Sequence, residues 1–142
     1  MKSERKHILF SIKPMYAKLI ILGSKTIELR TRIPSLRKGD IVVFYESLPV
    51  QKVTFYAEVK IVEAERPNKL WDDHHGDMGL SKESYDDYFL NRSIAYGIVL
   101  KNITKVRPIP LHEISPVIVA PQNYRYLSKE EFKIVESARC SL

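Results

Sequence analysis

Two strongly β-patterned runs stand almost back to back in the middle of the chain, IVVFYES at 41–47 and VTFYAEVKIVEAER at 53–66. Runs this rich in β-branched and aromatic residues, the second one alternating, read as strands. A strand's backbone N–H and C=O groups need partners on a neighbouring strand, so these runs commit the chain to a sheet. Other segments can join it. HILFSI at 7–12 reads as a short buried strand, KTIELRTR at 25–32 runs up to Pro34, and SIAYGIVLKNITKVRPIPL at 93–111 closes with Pro108 and Pro110. Pro67 stops the longest run, since proline has no N–H to give a ladder.

Helices fill the gaps. PMYAKLIILG at 14–23 has proline where a first turn tolerates it and glycine where a helix ends, with Tyr16, Ala17, Leu19 and Ile20 as its inner face. Ser81 is a plausible N-cap for a second helix in which Tyr85, Tyr88 and Phe89 recur at helical spacing. Ser128 and Glu131 form an S-x-x-E capping box that opens a helix expected over 128–142. The order predicts an α+β fold, a small and mostly antiparallel β-barrel with short flanking helices. At 142 residues, with no linker or repeat, the chain is expected to be one domain over 1–142.

Charge divides the chain in three. Residues 1–66 carry a net +6 and residues 92–142 a net +4, while the helical insert at 67–91 carries −4. A basic body favours polyanions such as nucleic acid through counterion release. The single cysteine, Cys140, cannot form an internal bridge and fits a free thiol in a reducing compartment. With no apolar run long enough for a membrane helix or signal peptide, the expected location is the cytoplasm.

Metal and cofactor chemistry have little support. Asp72, Asp73, His74 and His75 are contiguous and point in four directions, unlike the i, i+3 or i, i+4 spacing of helical ligands. No P-loop or dinucleotide fingerprint occurs, and His7 and His112 lack the neighbours of a hydrolase triad. No metal and no cofactor are expected.

The stretch GSKTIELR at 23–30 carries more charge than a half-buried strand needs. On a strand, Thr26, Glu28 and Arg30 share one face while Lys25, Ile27 and Leu29 share the other. Lys25 sits at the junction beside Gly23, where a bend can release it from that alternation and bring it to Glu28 and Arg30. An arginine fork suits phosphate or a base edge, a lysine supplies a mobile charge, and a carboxylate orients both or accepts from an exocyclic amine.

These residues carry a family resemblance. Gly23, Lys25, Glu28 and Arg30 match G-x-K-x-x-E-x-R, the signature of the ASCH domain, a PUA-like β-barrel. The lead-in KPMYAKLI, the KGD turn and the later blocks LWDDHHGDMGLSKESYDDYF, AYGIVL, PIPL and PQNYRYL are similar too, so the resemblance spans about 8–128. It implies a module that binds RNA or recognises a modified base, with a possible place in transcription or translation control. Relatives of this architecture also include amidohydrolases acting on N4-acetylcytidine and a ribonuclease; in that alternative, Lys25 and Glu28 carry the chemistry. The amidohydrolase pattern has a threonine three residues after its lysine, where this chain has Glu28.

The expected binding residues are therefore Lys25, Glu28 and Arg30 at the centre of a cleft, with Arg32 and the turn residues Arg37 and Lys38 meeting phosphate. Tyr45, Tyr124 and Arg125 are expected at its mouth, tyrosine for stacking on bases. The expected partner is RNA or a modified nucleoside.

Overall fold

The structure, a computed structural model, describes residues 4–140. Strand β1 (His7–Ile12) leads into helix α1 (Pro14–Leu22), then β2 (Ile27–Arg30), β3 (Ile41–Glu46) and β4 (Lys52–Glu65). The insert follows as α2 (Pro67–His74), a 3-10 turn (His75–Asp77) and α3 (Lys82–Tyr88). The long β5 (Ala95–Ile109), the short α4 (Leu111–Ile114), β6 (Tyr124–Leu127) and α5 (Lys129–Ser137) complete the chain. Several ends are set by the residues singled out above. Gly23 adopts φ 86° at the end of α1, Ser81 accepts from the Ser84 amide, and the Ser128–Glu131 capping box is fully formed. Helix α5 ends at Ser137, short of the expected span, whose last residues 141–142 lie outside those described.

The six strands form one sheet in the order β2-β5-β4-β3-β1-β6. The expected barrel is not what forms, because β2 pairs only with β5 and β6 only with β1, leaving the sheet open between them. Nor are all pairings antiparallel: β1 runs parallel to β3, with His7 opposite Ile41 and Ile12 opposite Glu46. The physical reason lies in the connection. Helix α1 and β2 intervene between β1 and β3, which is length enough for a parallel crossover. Between β2 and β6, each four residues long, the Arg30 side chain donates to the carbonyls of Ser11 and Asn123 where a closed barrel would pair backbone to backbone.

Alternation along the strands distributes three apolar clusters. Leu9, Val43, Tyr45, Val53 and Tyr56 face α4 and α5, while Ile8, Phe10, Val42, Phe44 and Ile98 turn to the other side, against α1. Ile27 and Leu29 of β2 meet Leu70, Met78, Tyr85 and Phe89 of the insert. Burial of these apolar faces stabilises the fold at roughly 25 cal/mol per Å². The turn before β3 is fixed by Asp40, which accepts from the amides of Lys6 and Arg37, both at 2.9 Å.

Among the described residues no helix is long and apolar enough to cross a membrane. The insert's histidines and acids are dispersed: Asp73 pairs with Lys69 at 2.7 Å, His74 with Glu63 at 2.6 Å, and His75 stacks on Trp71.

Candidate functional site

The opening in the sheet is where the charges of GSKTIELR collect. Strand β2 begins only at Ile27, so Lys25 precedes it and escapes the strand's alternation. Within β2, Ile27 and Leu29 are drawn into the insert cluster, which forces Glu28 and Arg30 to the opposite side. Arg30 then reaches across the gap. Its guanidinium stacks on the Phe10 ring at 4.3 Å, donates through Nη2 to the Ser11 carbonyl of β1 at 2.6 Å, and through Nη1 to the Asn123 carbonyl just before β6 at 3.4 Å. One side chain thus spans the two edges that the backbone leaves unpaired.

Glu28 sits between the two cations. Its Oε2 accepts from Arg30 Nε at 3.1 Å and Nη2 at 2.8 Å, and its Oε1 lies 3.7 Å from Lys25 Nζ. Lys25 is 3% exposed and Glu28 6%. Lys25 Nζ also donates to the Met78 carbonyl at 2.8 Å and lies 5.5 Å from the centre of the Tyr16 ring. Burial holds the Lys25 ammonium below the ordinary lysine pKa, the Glu28 carboxylate opposes that shift, and nearby Arg30 adds to it.

The insert closes over this lysine through Gly79. That residue has φ 72°, and a Cβ there would stand 3.0 Å from Leu19 Cδ1 and 3.2 Å from Lys25 Cβ. Only glycine satisfies both the backbone and the space.

Above the charged floor lies a cleft of about 480 Å³. One wall comes from the end of β1 and the start of α1, with Ser11, Lys13 and Tyr16; the other comes from α3, with Ser84, Asp87 and Tyr88. Tyr88 is 44% exposed, yet its hydroxyl is held 3.3 Å from the Leu29 carbonyl, and burial raises its pKa. The volume fits a small polar molecule or one nucleotide.

The expected residues divide on this geometry. Lys25, Glu28 and Arg30 come together on the cleft floor. Arg32 is exposed just beyond β2, with no ion pair among the described residues, and Arg37 and Lys38 are exposed in the following turn. Tyr124 is half-buried beside β1, packed against the Phe10 side of the sheet. Tyr45 is not at the mouth: it is 6% exposed in the cluster under α4 and α5, because its neighbour Phe44 takes the cleft-side face. Arg125 is turned away as well, at 3.4 Å from Glu131 of α5, since Tyr124 and Tyr126 occupy the other side of β6.

None of the six wall residues was foreseen, Tyr16, Asp87 and Tyr88 among them. Tyr16 reads as helix packing, Tyr88 as a third core aromatic beside Tyr85 and Phe89, and Asp87 as one charge in an acidic run. The available signal was the period of α3. Tyr85 and Phe89, four apart, share its buried face, while Tyr88 lies a full residue off that line.

Comparison with known proteins agrees with the motif. The model of the ASCH domain matches residues 10–109. An ASCH domain-containing ribonuclease of Zymomonas mobilis is 31% identical over 131 residues, which cover 90% of this chain and 88% of that protein. The crystal structure of ASCH from Zymomonas mobilis superposes with a TM-score of 0.90, covering 96% of this chain and 98% of that one. At 14% identity, the human THYN1 protein, solved in complex with 5-methylcytosine-containing DNA, shares the fold with a TM-score of 0.56 over 93% of this chain and 96% of that one. On the family match and on its identity with the Zymomonas protein, the chain belongs to the ASCH domain family.

Proposed function

We propose that this ASCH domain binds single-stranded RNA and takes one nucleotide of it into the cleft between α1 and α3. The observation that carries this reading is the Lys25–Glu28–Arg30 group, with Lys25 and Glu28 buried and all three lining that cleft. Burying such charges contributes little net stability, because desolvation offsets their attraction. Their position at the base of a nucleotide-sized cleft fits a ligand better than a brace. Tyr16 and Tyr88 offer aromatic faces for a base, and Lys13 and Arg32 offer cations for phosphate. The surplus of positive charge outside the insert supports a polyanionic partner.

Fluorescence anisotropy with a labelled single-stranded RNA across a salt series tests it. Affinity is expected to fall steeply with salt, and Lys25→Met, folded by circular dichroism, is expected to weaken binding by roughly tenfold. No binding at low salt, or equal binding by the variant, would sink the reading and leave an N4-acetylcytidine amidohydrolase as the next assay.

A second reading, cleavage of the bound RNA, is favoured by the Zymomonas relative's designation as a ribonuclease and by the lowered pKa of Lys25. In its deprotonated form Lys25 is the proton acceptor, since Glu28 Oε2 stays engaged by Arg30. It would take the proton of the 2′-hydroxyl as that oxygen attacks phosphorus. The P–O5′ bond breaks, a proton from solvent reaches the leaving 5′-oxygen, and a 2′,3′-cyclic phosphate remains. Incubation of the same RNA with protein separates the readings: intact RNA under binding conditions removes the second.

A further inference from the structure

Resting on the nucleotide-cleft reading, we infer that the cleft selects guanine through Asp87. The floor has no carboxylate to spare for a base edge. Glu28 Oε2 is taken by Arg30 and Oε1 faces Lys25, Arg30 Nη2 is shared between Glu28 and the Ser11 carbonyl, and Lys25 donates to Met78. The Arg30 plane is already covered on Phe10. Base-edge readout therefore falls to the walls, where Asp87 is the one carboxylate among the six wall residues. The Ser84 hydroxyl accepts from Ser81 Oγ at 3.1 Å, whereas the Asp87 carboxylate has no hydrogen bond or ion pair among the described residues. Its neighbour on the helix, Asp86, is held by Lys82 at 2.5 Å, so the carboxylate on the cleft side is the uncommitted one.

An ionised carboxylate only accepts hydrogen bonds, through two parallel oxygens. Guanine alone presents two adjacent N–H donors on one edge, N1–H and the N2 amino group. Cytosine places the N3 acceptor beside its amino group, adenine places N1 beside its own, and uracil flanks its single N–H with two carbonyls. Each of those edges sets an acceptor against Asp87. Stacking on Tyr88, the next residue of α3, would bring the base edge to Asp87. The polarity of the cleft fixes the other end of the nucleotide: the insert carries −4, and Lys13 stands on the opposite wall, so phosphate belongs with Lys13 and the base with Asp87.

Competition of the four nucleoside monophosphates and inosine monophosphate against labelled RNA tests this. Guanosine monophosphate is expected to compete about tenfold better than the adenosine, cytidine and uridine compounds, a typical discrimination for a bidentate pair. Inosine monophosphate, which keeps N1–H but lacks the amino group, falls between. Asp87→Asn replaces one acceptor by a donor on an exposed helix position, and the ranking collapses; Lys82→Ala, on the same helix outside the cleft, preserves it. A ranking that survives Asp87→Asn, or no guanine preference in the wild type, overturns the assignment. If RNA still binds in a Lys25-dependent way, the cleft reading survives that outcome. If the wild type binds neither RNA nor any nucleotide, both fall together.

Discussion

Asp40 and Glu28 are both buried carboxylates, 1% and 6% exposed, and both lie near cations. They are held in different ways. Asp40 accepts from two backbone amides, those of Lys6 and Arg37, with the Lys6 ammonium farther off at 3.7 Å. It pins a turn and is not among the residues that line the cleft. Glu28 is held by the side chains of Lys25 and Arg30 and lies on the floor of a cleft. Backbone donors mark a carboxylate that organises the chain. Side-chain donors facing a cavity mark one whose surroundings are free to serve a ligand, because the same cations can be turned toward it.

Three experiments sharpen or break that contrast, beyond the binding tests above. The largest effect is expected from Glu28→Ala, which leaves the buried Lys25 and the part-buried Arg30 without their carboxylate and lowers stability by about 3–5 kcal/mol in chemical denaturation. RNA binding should suffer as well, since Arg30 loses the partner that aims it across the seam. Asp40→Ala orphans two amides and should cost about 2 kcal/mol, with RNA affinity unchanged in the folded protein. A loss of affinity there, at a protein concentration and temperature where the variant is folded, would erase the distinction between the two carboxylates.

The smallest effect is a pH dependence. Between the lowered pKa of Lys25 and the ordinary lysine value of 10.5, the unfolded chain binds more protons than the folded one. Stability therefore gains from this group as pH rises through that window, by at most about 1.4 kcal/mol per pH unit. Below the lowered value both states keep the proton and the burial cost stands in full. Urea titrations across alkaline pH should show this gain in the wild type and its absence in Lys25→Met. An identical pH profile for the two proteins would mean that Lys25 is not desolvated as described.

Much of the framework was legible in the residues. The strands announce themselves by β-branched runs ended at prolines, Gly23 ends α1, and the Ser128–Glu131 box starts α5, because these are local interactions set by neighbours in the chain. The convergence of Lys25, Glu28 and Arg30 was legible too, from a glycine at a junction. What was not legible is which side of each strand meets the cleft. Period-2 alternation groups Tyr45 with Val43 and separates both from Phe44, yet it is silent on which group lies under α5. The same silence misplaced Arg125. Closure of the sheet was also out of reach, since it depends on whether β2 and β6, far apart in sequence, meet edge to edge. The α3 wall was hidden by composition: an acidic, tyrosine-rich helix reads as solvated surface until its packing on β2 is known.

The seam bridged by Arg30 has a consequence in time. Ser11 lies on the first strand, Arg30 on the third element, and the carbonyls of Pro121 and Asn123 come from the far end of the fold. During vectorial synthesis, residues 121–124 on the far side of the seam follow strands β1 to β5. Contacts this distant in sequence also close late in folding, because loop entropy opposes them until the rest is in place. A nascent chain therefore carries the charged motif of β2 before the Asn123 carbonyl that receives Arg30 has been made. The seam is thus fastened late, by a contact that joins Arg30 to Asn123.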